Sequence, residues 1–177
     1  MSTTKASKKP NDTELSPEKQ EEFLSLLTSK TDKQIMASVL SMYREKGYSI
    51  KYRTQWKAKN DVSPDAYRIF CSIGKSKESL ILNTCSYDEA AFMLQLKIRN
   101  LSSLLQLDRL SENIRSQILN AKRDCKNCGC PEKAYVFTYS GTTYRKCHML
   151  CDNFRLFHFT EEDVESVLFL IKNELFN

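Results

Sequence analysis

From Met1 to about Glu14 the chain is polar and lysine-bearing, with almost nothing to bury. Such a segment cannot offset the entropy lost on ordering, so residues 1–15 are expected to form a disordered tail. The apolar spacing then turns helical. Ser16-Pro17-Glu18 offers a hydroxyl N-cap, a proline at the first helical position and an acid in the first turn. Phe23, Leu24 and Leu27 give that short helix its apolar side. Thr31-Asp32 opens a second helix through Ile35, Val39, Met42 and Tyr43, and Gly47 is placed to end it.

Period two follows. Over residues 49–57, Ile50, Tyr52, Thr54 and Trp56 face one way while Lys51, Arg53, Gln55 and Lys57 face the other. That pattern predicts a half-buried strand with a solvated, basic outer face. Tyr67, Ile69, Cys71 and Ile73 alternate next, Gly74-Lys75-Ser76-Lys77 makes a turn, and Leu80-Ile81-Leu82 begins another strand. Phe92, Leu94, Leu96 and Ile98 alternate as a fourth, although Ser86-x-x-Glu89 leaves open a capped helix through Ala90-Ala91. Cys71 and Cys85, in or beside these strands, read as small core residues.

Helical spacing returns through Leu101, Leu104, Leu105, Leu110, Ile114, Ile118 and Ala121, with Asp108 or Ser111 as the cap. Tyr135, Phe137 and Tyr139 then form one arm of a hairpin, Ser140-Gly141-Thr142 the turn, and Thr143 to Lys146 the return arm. Asn153 to Phe159 reads as an apolar strand in which His158 is expected to be an interior histidine. Thr160-Glu161-Glu162-Asp163 opens a final helix, whose Val164, Val167, Leu168, Ile171 and Leu175 should pack on the sheet. The predicted fold class is α+β. A single domain over 16–177 would hold an antiparallel sheet flanked by N-terminal helices and a C-terminal helix.

Composition changes the picture mainly through the cysteines. With 41% hydrophobic residues in 177, the chain can bury a core without covalent staples. No apolar run approaches the roughly 18 residues of a membrane span. Met1-Ser2-Thr3-Thr4-Lys5 lacks the apolar core of a signal peptide. The expected location is therefore cytoplasmic, with no membrane partner. Clustered thiols in that compartment hold metal more often than they form structural disulfides. A net charge of +5 tolerates contact with polyanions without requiring it.

Five of the seven cysteines fall in Cys125-Lys126-Asn127-Cys128-Gly129-Cys130 and Cys147-His148-Met149-Leu150-Cys151. Eighteen residues separate Cys128 from Cys147, within the roughly 15–20 of a ribbon-type zinc site. The predicted hairpin would return the second pair beside the first. Cys125, Cys128, Cys147 and Cys151 are the expected ligands of a structural Zn2+ in a zinc-ribbon-like, four-cysteine hairpin, with Cys130 and His148 in reserve. An iron–sulfur cluster or a redox thiol switch suits the same thiolates. There is no HExxH pattern, Gly-rich phosphate loop or G-x-S-x-G, and no catalytic residue is assigned.

The last third of the chain resembles small uncharacterised bacterial zinc-binding domains of unknown function that share a late C…C-x-x-F-R-F/L ending. Here that ending is Cys147, Cys151, Asn153-Phe154-Arg155-Leu156 and the helix opened by Thr160. The resemblance implies that Cys147 and Cys151 act as a pair, and it brings no activity with it. The function expected is a zinc-stabilised binding module, holding a small ligand or protein partner near Trp56 and Tyr52. The alternative is a nucleic-acid-binding protein using Lys51, Arg53, Lys57 and Lys59 with Arg145 and Lys146. Within the 49–57 strand the aromatics and cations point to opposite faces, which weighs against a single ligand using both.

Overall fold

The computed structural model describes residues 12–54, 67–73, 76–82, 92–96, 106–121, 134–146 and 154–176. The first helix, α1 (Pro17–Leu26), begins as its sequence dictates, the Ser16 hydroxyl accepting from the Lys19 amide. In the second, α2 (Lys30–Glu45), the cap lies two residues before Thr31: Ser29 accepts from the Asp32 amide at 3.2 Å. Thr31 is itself buried, which leaves Ser29 as the hydroxyl positioned to cap. Gly47, at φ +72, takes the left-handed conformation that ends the helix.

Six antiparallel strands form the main sheet: β1 (Thr13–Glu14), β2 (Ser49–Thr54), β3 (Tyr67–Ile73), β4 (Ser76–Leu82), β5 (Phe92–Leu96) and β8 (Phe154–Phe157). The first five lie in chain order, and β8 adds to the far edge beside β5. The tail expectation is corrected at its end. Thr13 and Glu14 pair with Tyr52 and Lys51, and Leu15 is buried with its amide on the Ile50 carbonyl. One apolar anchor and a free strand edge suffice to order what composition alone reads as polar. The strand holding Leu80-Ile81-Leu82 begins earlier than expected, at Ser76, which pairs with Ile73. Ile98, the Ser86-x-x-Glu89 alternative, Cys85, Gly74 and Lys75 lie outside the described residues.

Alternation puts Ile50, Ile69, Leu94 and Leu156 on one sheet face, all at most 3% exposed, and the helices cover it. α2 lies against β2 and against α4 (Asp163–Phe176), while α3 (Glu112–Asn120) lies against β8. A continuous helix from Leu101 is not what forms. Leu107–Arg109 is a short 3-10 turn containing Asp108, and α3 starts afresh after Ser111, whose hydroxyl accepts from the Ile114 amide. Leu101, Leu104 and Leu105 lie outside the described residues. The C-terminal helix packs chiefly on α2. Its fully buried apolar positions among the described side chains are accordingly Val167, Leu170 and Ile171, with Leu168 only half-buried. The side chain of Leu175 is outside the description.

The remaining strands, β6 (Tyr135–Tyr139) and β7 (Thr142–Lys146), form a separate hairpin. Ser140 (φ 46) and Gly141 (φ 74) make its two-residue turn, the left-handed pair whose twist matches that of the strands. Phe137 is buried and stacks on Tyr144 with ring centroids 5.5 Å apart.

Candidate anion-binding face and the segments flanking the cysteines

The sheet face turned away from the helices carries Lys51 and Arg53 from β2, Arg68 and Phe70 from β3, and Arg155 from β8. Register sets Lys51 opposite Phe70 and Arg53 directly opposite Arg68. Like charges opposed across a strand pair cost about 0.2–1 kcal/mol. The Arg53 guanidinium lies 4.6 Å over the Phe70 ring. Phe70 is only 5% exposed, yet it stands apart from the main core cluster. The Asp12 carboxylate lies 3.7 Å from Arg53 and Glu14 is opposite Lys51, so these two cations are partly compensated.

Among the described residues no carboxylate stands opposite Arg68. Its Nε is buried without a hydrogen-bond partner among the described residues. Burial first, then repulsion from Arg53 and Arg155, pushes its pKa below that of an ordinary guanidinium. A half-buried arginine opposite a second one, with a third on the same sheet face, is a ready donor for a phosphate or carboxylate oxygen. The expectation of a solvated strand face is thus corrected: Lys51 and Arg53 are both half-buried. Aromatic and cationic groups do share a face, because the aromatic comes from β3. Tyr52 lies on the inner side, edge-on to Phe23. Trp56, Lys57 and Lys59 lie outside the described residues.

Cys125, Cys128, Cys130, Cys147, His148 and Cys151 also lie outside the described residues, and within those described no group of three or more His, Cys, Asp or Glu side chains converges as for a metal. Residues on either side of the two cysteine segments make specific contacts. Lys146, expected from sequence as a nucleic-acid contact, is instead buried. Its Nζ donates to the Leu119 carbonyl at 2.5 Å and the Ala121 carbonyl at 2.8 Å. A cation there satisfies carbonyls that the end of α3 leaves unpaired and complements its dipole. Arg145 remains exposed.

A polar knot ties the starts of α3 and α4. Asp163, 0% exposed, accepts from the Ser111 hydroxyl at 2.5 Å, Asn113 Nδ2 at 2.7 Å, the Thr160 amide at 2.7 Å and the Thr160 hydroxyl at 3.0 Å. The Ser166 hydroxyl accepts from the Ser111 amide at 2.7 Å. Two capping signals are legible in the sequence; that one carboxylate serves both helices is not. His158 is exposed at φ 54, correcting its assignment as an interior histidine, and its carbonyl accepts from Asn113.

The Asp32 carboxyl is pushed up to about 6, chiefly by burial and against the opposing pull of His158. The folded chain therefore holds that proton between the ordinary value of 3.8 and about 6. The associated stability is complete below about pH 4 and lost as pH rises through about 6. Asp32→Asn should consequently stabilise the protein by roughly 1 kcal/mol at pH 7, after allowance for solvent screening of a half-exposed group. It should give no gain at about pH 4. Urea midpoints of both proteins at the two pH values check this, and an equal gain at both would refute the burial argument.

No family model, curated protein or solved structure matches the chain. The class it defines is an α+β protein with a helix-backed antiparallel sheet and an appended hairpin. No helix among the described residues is long and apolar enough to cross a membrane.

Proposed function

We propose that the chain is a zinc-stabilised cytoplasmic binding module whose outer sheet face takes single-stranded nucleic acid. The observation that carries the nucleic-acid reading is the Arg53–Arg68 pair beside Phe70. Phosphate would relieve a juxtaposition that otherwise costs stability, and the Arg53 guanidinium plane, backed by the 5% exposed Phe70 ring, is the group open to an unpaired base. Arg155 extends the same face to β8. Zn2+ would be held by Cys125, Cys128, Cys147 and Cys151, with Cys130 and His148 as reserves, and its role would be structural. The Lys146–Ala121 contact supports this reading. It joins residue 121 to residue 146, four positions before Cys125 and one before Cys147. At about 3.5 Å per residue the chain can then bring the two cysteine segments to one ion. Thiolate-held zinc fits a reducing compartment.

The test is fluorescence anisotropy with a labelled oligothymidine over a salt series. Arg68→Gln and Arg155→Gln should each weaken binding about tenfold, the loss of one charge-assisted contact. Each should also reduce the slope of log affinity against log salt by about 1. Arg155→Gln should leave stability within about 0.5 kcal/mol, and Arg68→Gln, which removes the like-charge pairing with Arg53, should not lower it. Binding that ignores salt or both substitutions sinks the nucleic-acid reading.

A further inference from the structure

On the opposite side of the sheet, where Phe23 of α1 meets Tyr52 of β2 and Tyr67 of β3, three aromatic rings lie around a cation. Phe23 and Lys19 are one helical turn apart on α1, so their side chains meet. Tyr52 and Tyr67 are diagonal neighbours on β2 and β3, since Tyr52 pairs with Ile69 and Thr54 with Tyr67. The Phe23 ring is edge-on to Tyr52, with centroids 5.1 Å apart and planes at 84°, and 4.7 Å from Tyr67. Lys19 Nζ sits 5.0 Å from the Phe23 centroid and 5.7 Å from those of both tyrosines. The Glu22 carboxylate pairs with the same ammonium at 2.6 Å. Three π-faces within about 6 Å of one point, together with a carboxylate, form an environment selective for cations.

As a mere staple between helix and sheet, Lys19 would need only one ring. Its occupancy is also conditional. The Lys19 side chain is 25% exposed and its carboxylate partner 53% exposed. The resident ammonium therefore stays near solvent, and an ammonium is strongly hydrated. A methylated ammonium has little hydration to lose and more surface to set against the rings. Phe23 is 0% exposed, a member of the core cluster whose remaining ring face lies under the Lys19 ammonium.

We infer that Phe23, Tyr52, Tyr67 and Glu22 form a recognition site for a methylated or quaternary ammonium group, with Lys19 as an intramolecular stand-in that a ligand displaces. This site is separate from the arginine face and does not depend on the nucleic-acid reading. The stand-in lowers apparent affinity by the fraction of time it occupies the rings. Removing it should tighten ligand binding.

Tetramethylammonium is the first probe, followed through the ring proton resonances of Tyr52 and Tyr67 on the full chain. Lys19→Ala, a substitution at a partly exposed position by the best helix former, should tighten tetramethylammonium binding about tenfold. Adding Tyr67→Leu in that background should weaken it again about fivefold, because one wall is gone. Choline and a trimethyl-lysine peptide, each compared with its unmethylated counterpart, then separate the two sources of the group. Preference for either methylated form upholds the assignment. Equal tetramethylammonium affinity in wild type and Lys19→Ala, or no preference for methylated over unmethylated probes, overturns it.

Discussion

Asp163→Ala is expected to lose about 3 kcal/mol of folding free energy at pH 7, by removing a hydrogen-bonded carboxylate and leaving buried donors unpaired. The carboxylate accepts from Ser111, Asn113 and Thr160 at once, so its loss loosens the starts of α3 and α4 together. Burial acts to raise the Asp163 pKa. Hydrogen bonds from the Ser111 hydroxyl, the Thr160 amide, Asn113 and the Thr160 hydroxyl outweigh it and hold the group below the usual aspartate value. A depressed pKa makes the contribution full above about pH 4 and erodes it as pH falls through the folded value. The gap between wild type and Asp163→Ala should therefore narrow in acid. In a domain of this size the loss at pH 7 corresponds to a Tm drop of roughly 10 °C. Urea titrations from neutral pH downward decide the matter. A variant within about 0.5 kcal/mol of wild type at pH 7 would mean that surrounding groups re-pair without the carboxylate.

The same residues show where the sequence is legible and where it is not. Ser16, Gly47, the Ser140-Gly141 turn and Thr160 act within one turn of chain, so their effect can be read locally. Phe70 and Arg68 acquire their meaning only when β3 lies beside β2, and that pairing is set by register across the intervening chain. The alternation around Arg53 shows a basic, outward-facing residue, but not its neighbours. Lys146 misleads for a similar reason: a lysine on an exposed hairpin arm reads as solvated until the end of α3 is found beneath it. Lys19 carries no signal at all, since two of the rings around it come from strands more than thirty residues away.

The largest effect is expected from metal removal. Replacing Cys125 and Cys147 together by serine should abolish bound zinc, about one ion per chain, and lower stability by on the order of 5 kcal/mol or more, because structural zinc binding is coupled to folding. The loss should not be uniform. The sheet, α1 and α2 contribute most of the core, including Phe23, Ile35, Leu94 and Leu156, and the hairpin adds Phe137 to it. The hairpin itself rests on Phe137, Tyr144 and the Lys146 contacts to α3. In the double variant Tyr139, Tyr144 and the end of α3 should lose amide exchange protection first, while β3 and β5 keep theirs. Cys130→Ser and His148→Ala should each retain the ion. Elemental analysis with a thiol count separates the outcomes. Thiols masked until a chelator is added, then unmasked as zinc leaves, support the four-cysteine assignment. Full metal retention in the Cys125/Cys147 double variant would shift the ligand set toward Cys130 or His148. Iron, or oxidised thiols without metal, would replace a structural site with a redox one, and the hairpin would become the part of the molecule that responds to oxidants.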